Sequence, residues 1–355
     1  MTSRLLGYVL AAVLAGAPAA AEPQGLLALP RSVDAIPGLD PAVPQPAPEE
    51  QPPPVADQLN YRSLMRDLVG NLAAYAKGRK PSFVVLQQGG FELLVKGDRE
   101  ALWEAQQAPQ VRSAPAGAVF HSLLENLDGV LVEGLYCSAA AKNAGASGLA
   151  KLMVSEGKRL LVVERCRDLQ ARSTAAARAE RDKALTYFVD DGSQRPPGEN
   201  ATHVAGLKSA ANFLVAPTRT LRKVADLISA LRESNHDVVI VEPYLGAAPL
   251  TAEDVAALQF KRLGSRRLVI AAIPLNTANP ERHYWKPDWS PGTPNWLRGR
   301  AAGTNTYDVD YWHAEWKEIV GAYLKGVIDL GYDGVLLTGT AAYLDFEATD
   351  PSPER

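Results

Sequence analysis

The sequence predicts an α/β fold in which eight parallel strands close into a single (β/α)8 barrel of the TIM type, and three observations carry that prediction. Eight short apolar runs recur along the chain. Each is near-continuous rather than alternating in polarity, which is the pattern of strands covered on both faces. Helical stretches separate the runs, and right-handed crossovers between parallel strands then close the set most simply as a barrel. The chain has 355 residues, 46% apolar and 22% charged, ample for one barrel of about 250 residues.

Residues 1–21 read as a cleavable export signal. Arg4 supplies the positive start, Leu5 to Leu14 the apolar run, and Ala19-Ala20-Ala21 before Glu22 the small-residue cleavage site. The run is too short and too rich in Ala and Gly for a comfortable membrane span, so a secreted or periplasmic protein without stable membrane insertion is expected. Residues 22–57 contain ten prolines and few periodic apolar positions. That composition predicts a semi-extended, disordered linker. The barrel is expected over 58–347, with 348–355 as a tail.

Leu64, Leu68, Leu72 and Tyr75 recur at helical spacing. The strand candidates then follow as Phe83 to Gln87, Gly129 to Glu133, Leu160 to Glu164, Leu185 to Asp190, Asn212 to Val215, Val238 to Glu242, Leu268 to Ile273 and Gly334 to Leu337. Between them, helices are expected at Ala139 to Gly157, Thr218 to Glu233, Thr251 to Leu263 and Tyr311 to Leu330. A doubly wound open sheet is the alternative. It usually carries a glycine-rich phosphate loop after its first strand, and Gln87-Gln88-Gly89-Gly90 is not GxGxxG. Cys137 and Cys166 follow adjacent strands, which allows either a disulfide at one end of the barrel or two small buried side chains that never meet.

A net charge of −3 without a basic stripe argues against nucleic acid as a partner. The five histidines are scattered without ligand spacing, and no CxxC pattern occurs, so neither a metal nor a cofactor is expected. Barrel active sites sit at the C-terminal strand ends. Those ends carry Glu133, Glu164, Asp190 with Asp191, and Glu242. An unpaired buried carboxylate is costly, so several converging on one mouth predict a polar pocket. Glycoside cleavage needs such a set, one acid to protonate the leaving oxygen and a second to attack or to activate water. Asn276 to Asp310 forms a long loop holding Tyr284, Trp285, Trp289, Trp296 and Tyr307. Its aromatics suit either stacking on sugar rings or a local satellite core.

The stretches LDGVLVEGLYCS, RLLVVERC, HDVVIVEPYL, RHYWKPDW, DVDYWHAEW and GYDGVLLTGTAAY occur in that order. Together they resemble glycoside hydrolase family 114, the endo-α-1,4-polygalactosaminidases, and the exported barrels once described as related to cysteinyl-tRNA synthetase. The likeness spans about residues 58 to 347. It implies an exported barrel acting on or binding a polysaccharide or oligosaccharide, galactosamine-rich in the family. It places the general acid/base at Glu133, given a strand order circularly shifted from the fungal enzymes, and Glu164 matches an acidic residue at the next strand end; among the strand-end carboxylates, Glu164 or Glu242 is then the expected second carboxylate. Arg282, Tyr284 and Trp285 match the family's loop after the seventh strand, and Tyr136 and Tyr343 complete the expected sugar-binding set. Asp333 and Gly334 match the GxDG turn before the last strand. The family's nucleophile position is Thr338 here, and two further acidic positions are Thr277 and Ala341. Two readings follow: an active glycosidase, in which Glu133 and Glu164 on adjacent strands form a close pair, or a catalytically inactive carbohydrate-binding barrel.

Overall fold

The computed structural model describes residues 59–107, 114–137, 144–189, 200–216, 221 and 223–349. The expected signal and linker, together with Asp190 and Asp191, lie outside the described residues.

The first helix, α1 (Tyr61–Arg79), starts where the Asn60 side chain accepts a hydrogen bond from the Ser63 amide at 2.9 Å. It buries Met65, Leu68, Val69, Leu72, Ala73 and Ala76. Tyr75, expected within that stripe, is 40% exposed. At about 100° per residue the buried face centres near Ala76, which leaves Tyr75 at its margin.

All eight expected strands form: β1 (Val84–Gln88), β2 (Gly129–Glu133), β3 (Arg159–Glu164), β4 (Leu185–Phe188), β5 (Phe213–Val215), β6 (Val238–Val241), β7 (Leu268–Pro274) and β8 (Gly334–Thr338). They lie in one parallel sheet in the order β4-β3-β2-β1-β8-β7-β6-β5, the sequential order of a barrel. β4 and β5 lie in contact, although no ladder is recorded between them. The fold is α/β with a nearly closed eight-stranded parallel barrel.

Helices α2 (Asp98–Gln107) and α3 (His121–Asn126) separate β1 from β2. The crossovers that follow are α4 (Ala144–Ser155), α5 (Leu169–Arg181), α6 (Val224–Arg232), α7 (Ala252–Leu258) and α8 (Ala314–Asp329), with α9 (Tyr343–Thr349) after the last strand. Thr251 opens α7 with a capping box closed by Asp254. The helix ends five residues before the expected Leu263, because Lys261 turns in beneath the barrel.

Successive strand residues divide between two packing layers. Val84, Leu86, Leu131, Leu161, Ile240 and Leu336 face the barrel axis, whereas Val85, Val130, Val162, Val239 and Val335 face the helices. Val204, Leu207 and Ala210 join the axial cluster from the segment before β5 and plug the floor. Below them Lys261 Nζ, fully buried, donates to Asp237 Oδ1 at 2.5 Å, Thr202 O at 2.6 Å and Asn200 O at 3.0 Å. The Asp333-Gly334 turn also belongs to this closed end. Asp333 accepts from Arg266 at 2.7 Å and from the Val269 amide at 3.0 Å. A Cβ at Gly334 would lie 2.4 Å from Val84 O, so the strand start admits no side chain.

Cys137 and Cys166 form a disulfide across a separation of 29 residues, joining the loops after β2 and β3. Closing a loop of that length restricts the unfolded chain by about 3–4 kcal/mol. Reduction, or the Cys137→Ala/Cys166→Ala variant, is expected to lower the unfolding free energy by that amount in a denaturant titration.

Candidate functional site at the barrel mouth

Axis-facing positions at the C-terminal strand ends form the mouth. They are Gln88 on β1, Glu133 on β2, Val215 on β5, Glu242 just after β6, Pro274 on β7 and Thr338 on β8. A cavity of about 400 Å³ opens there, lined among others by Gln88, Glu242, Asn279, Arg282, Tyr284, Tyr323 and Thr338. Its deeper wall is apolar, with Val215, Ile240, Ala272 and Leu336.

Glu133 is exposed at the end of β2 and accepts a hydrogen bond at 3.0 Å from Nε2 of Gln88, which itself lines the cavity. Glu242 lines the cavity directly. In the sequential ring β2 and β6 stand four strands apart, so the two carboxylates come from opposite sides of the mouth.

Glu164 belongs elsewhere, which corrects the expected close pair. Glu133 pairs in register with Val163, so Glu164 sits one residue further along and points to the opposite face. It is fully buried and accepts hydrogen bonds from the amides of Tyr136 at 2.6 Å and Cys137 at 3.1 Å. Its role is to shape the loop that carries the disulfide. Burial pushes its carboxyl above the ordinary glutamate range, and the backbone donors offset this only in part. The native state therefore holds the Glu164 proton more tightly than the unfolded chain. As pH rises from about 4.3, the unfolded value, through the higher native value, the native state loses stability through this group. Glu164→Gln cannot ionise, so its unfolding free energy is expected to fall less than wild type's over that window, read by denaturation at stepped pH.

Tyr136 and Tyr343 are also displaced from the expected sugar-binding set. Tyr136 packs in the helix-facing core. Tyr343 is fully buried at the start of α9, where its hydroxyl donates to Glu92 at 3.3 Å beneath the Arg62 guanidinium. Glu347 pairs with Arg62 at 3.0 Å, and Asp345 is exposed on α9; neither lines the cavity.

The connection from β7 to β8 folds into a three-stranded antiparallel sheet of Thr277–Ala278, Tyr307–Val309 and Leu297–Arg300, in that order. Trp289, Trp296 and Trp316 pack edge to face or tilted, with centroids 5.0 and 5.3 Å apart. All three are buried, so they form a satellite core. Trp285 stacks on Tyr307 at 5.2 Å and does not line the cavity. Tyr284 does line it; its hydroxyl accepts from the Asn279 amide at 3.0 Å, and burial pushes its pKa up.

Arg282 is held from the β6 side. Its Nη1 donates to Gly246 O at 2.7 Å, its guanidinium lies 4.6 Å over the Tyr244 ring, and Nη2 stands 3.6 Å from Glu242. Gly246 takes a φ of 59°, the left-handed conformation that turns the Tyr244–Leu245/Ala248–Pro249 hairpin. The Tyr244 hydroxyl is bonded to His283 Nδ1 at 2.8 Å. Gln88, Tyr244, Asn279 and Tyr323 were not singled out by sequence reasoning. The PYLGAAP turn before α7 is the signal that points to the hairpin.

Thr338 occupies the cavity wall, its hydroxyl donating to Ile273 O at 3.4 Å, and Thr277 lines the same cavity. Among the described residues, the one cluster of three metal-ligand types is Cys137, Glu164 and Cys166, and the disulfide removes its thiolates.

No family model matches the chain. It is 44% identical over 69 residues to an uncharacterised protein of Thermotoga maritima, covering 19% of this chain and 21% of that protein. An uncharacterised protein of Deinococcus radiodurans is 31% identical over 118 residues, 33% and 37% of the two chains. One of Methanocaldococcus jannaschii is 38% identical over 72 residues, 20% and 21%. The chain thus spans about a fifth to just over a third of the length of the curated relatives it matches.

Proposed function

We propose that this is an exported glycoside hydrolase-like barrel that acts on a polysaccharide or oligosaccharide at its C-terminal mouth. Glu133 is the general acid/base, and Glu242 is the second carboxylate. One observation carries the reading: with Glu164 turned away, Glu133 and Glu242 are, among the described residues, the exposed carboxylates that end axis-facing registers on opposite sides of the mouth. Two carboxylates facing each other across the scissile bond are what glycoside cleavage requires. The resemblance to glycoside hydrolase family 114 supports the same chemistry. The Cys137–Cys166 bridge supports an oxidising compartment outside the cytoplasm, and N-terminal sequencing of the exported protein is expected to begin at Glu22.

Thr338 favours a second reading, a barrel that binds saccharide without cleaving it. A threonine hydroxyl supplies no charge to an oxocarbenium-like transition state. Reducing-end release from a panel of polysaccharides, galactosamine-rich polymers included, separates the two. Cleavage by the wild type supports the hydrolase, and binding without cleavage supports the inactive barrel. Activity gained by Thr338→Asp would mean the remaining machinery is assembled. Absence of saccharide binding by wild type sinks both.

A further inference from the structure

The two charged groups on the cavity wall, Glu242 and Arg282, differ in their surroundings. The Arg282 side chain is 11% exposed and that of Glu242 is 55% exposed. Solvent screens the second far more than the first, so the arginine dominates the field inside the cavity. Arg282 is also fixed in place, by Gly246 O on Nη1 and by the Tyr244 ring beneath its plane. Its Nη2 lies 3.6 Å from Glu242, too far for a good hydrogen bond. A guanidinium offers five N–H donors in a rigid fork that matches the two oxygens of a carboxylate. Among the described residues the protein gives this fork one close acceptor, Gly246 O. The neighbouring wall positions Thr277 and Thr338 are neutral, so the half-exposed Glu242 is the one carboxylate among the described lining residues to oppose an anion there.

We infer that the cavity takes a sugar bearing a carboxylate, a uronic-acid unit, and that Arg282 determines this specificity through a bidentate contact. The inference rests on the reading of the mouth as a saccharide site. A protonated amino sugar would meet a fixed, poorly screened cation at close range. A neutral sugar would leave the arginine with Glu242, 3.6 Å from Nη2 and more than half exposed, as its anionic partner. Glu242 meets the guanidinium only at 3.6 Å, which leaves the fork's shorter contacts to the sugar carboxylate.

Isothermal titration of the full-length protein at low salt tests this with three probes: tri-galacturonate, its fully methylated ester and tri-galactosamine. The acid is expected to bind at least tenfold more tightly than the ester. Arg282→Gln is expected to bring the acid to the level of the ester. Arg282→Lys is expected to keep only part of the preference, since an ammonium is a point charge without a fork. Equal or tighter binding of the ester or of tri-galactosamine overturns the charge inference and leaves the saccharide site intact. Failure of all three to bind overturns both. If Arg282→Gln melts early, the wild-type comparison of acid with ester decides alone.

Discussion

Replacing Lys261 by methionine is expected to lower the unfolding free energy by about 3–5 kcal/mol, the usual cost of stranding one member of a buried ion pair. Lys261 and Asp237 are both almost fully inaccessible, and the ammonium is shared among Asp237, Asn200 and Thr202. Asp237 in turn accepts from the Ala211 amide at 2.7 Å and from Asn200 Nδ2 at 2.9 Å. The pair therefore fastens the floor segment before β5 to β6 and to the turn after α7. Without the lysine, the carboxylate must stay buried and uncompensated or take up a proton. The loss corresponds to a fall in melting temperature of roughly 6–20 °C for a domain of this size. The double variant Lys261→Met/Asp237→Asn should recover part of it, because the stranded charge is then gone. A single-variant loss below about 1 kcal/mol would mean that the floor does not depend on this contact.

Glu133→Gln is expected to reduce turnover about 10²–10⁴-fold on any polysaccharide the wild type cleaves, the range for removing a general acid. The carboxamide keeps the shape and the contact with Gln88 Nε2 at 3.0 Å through its oxygen, but it has no proton to deliver to the leaving group. Because Glu133 is exposed, unfolding free energy should change by no more than about 0.5 kcal/mol. That combination, a large kinetic loss at unchanged stability, separates a chemical role from a structural one. Turnover equal to wild type would remove Glu133 from the mechanism.

The fold was legible because each strand buries both faces and so announces itself as an apolar run. The same property hid part of the site. Glu133 and Glu164 both end apolar runs, and nothing in VLVE or LLVVE tells which faces the axis. With both faces apolar, the period-two signal that would reveal side-chain parity is erased. Only the register between β2 and β3 settles it. Arg282 was legible as a candidate, but the carbonyl that holds it lies 36 residues away in a hairpin, a contact that local pattern does not encode. The tryptophans of the β7–β8 connection read equally well as platform or core. Their packing around Trp296 and Trp316 resolved them as core for three of the indoles.

The disulfide between the loops after β2 and β3 gives the mouth two sides of unequal stiffness. On one side two crossovers are joined covalently, and Glu164 holds the same loop with two backbone hydrogen bonds. On the other, the Arg282–His283 segment and the hairpin are joined by non-covalent contacts alone: the Gly246 carbonyl, the Tyr244 ring and the Tyr244–His283 hydrogen bond. The arrangement is a clamp with one jaw welded covalently and one held by hydrogen bonds and stacking. Glu133 rides on the welded side; under the proposed function the proton donor would keep its position while the side that carries Arg282 and Glu242 would meet successive sugar units.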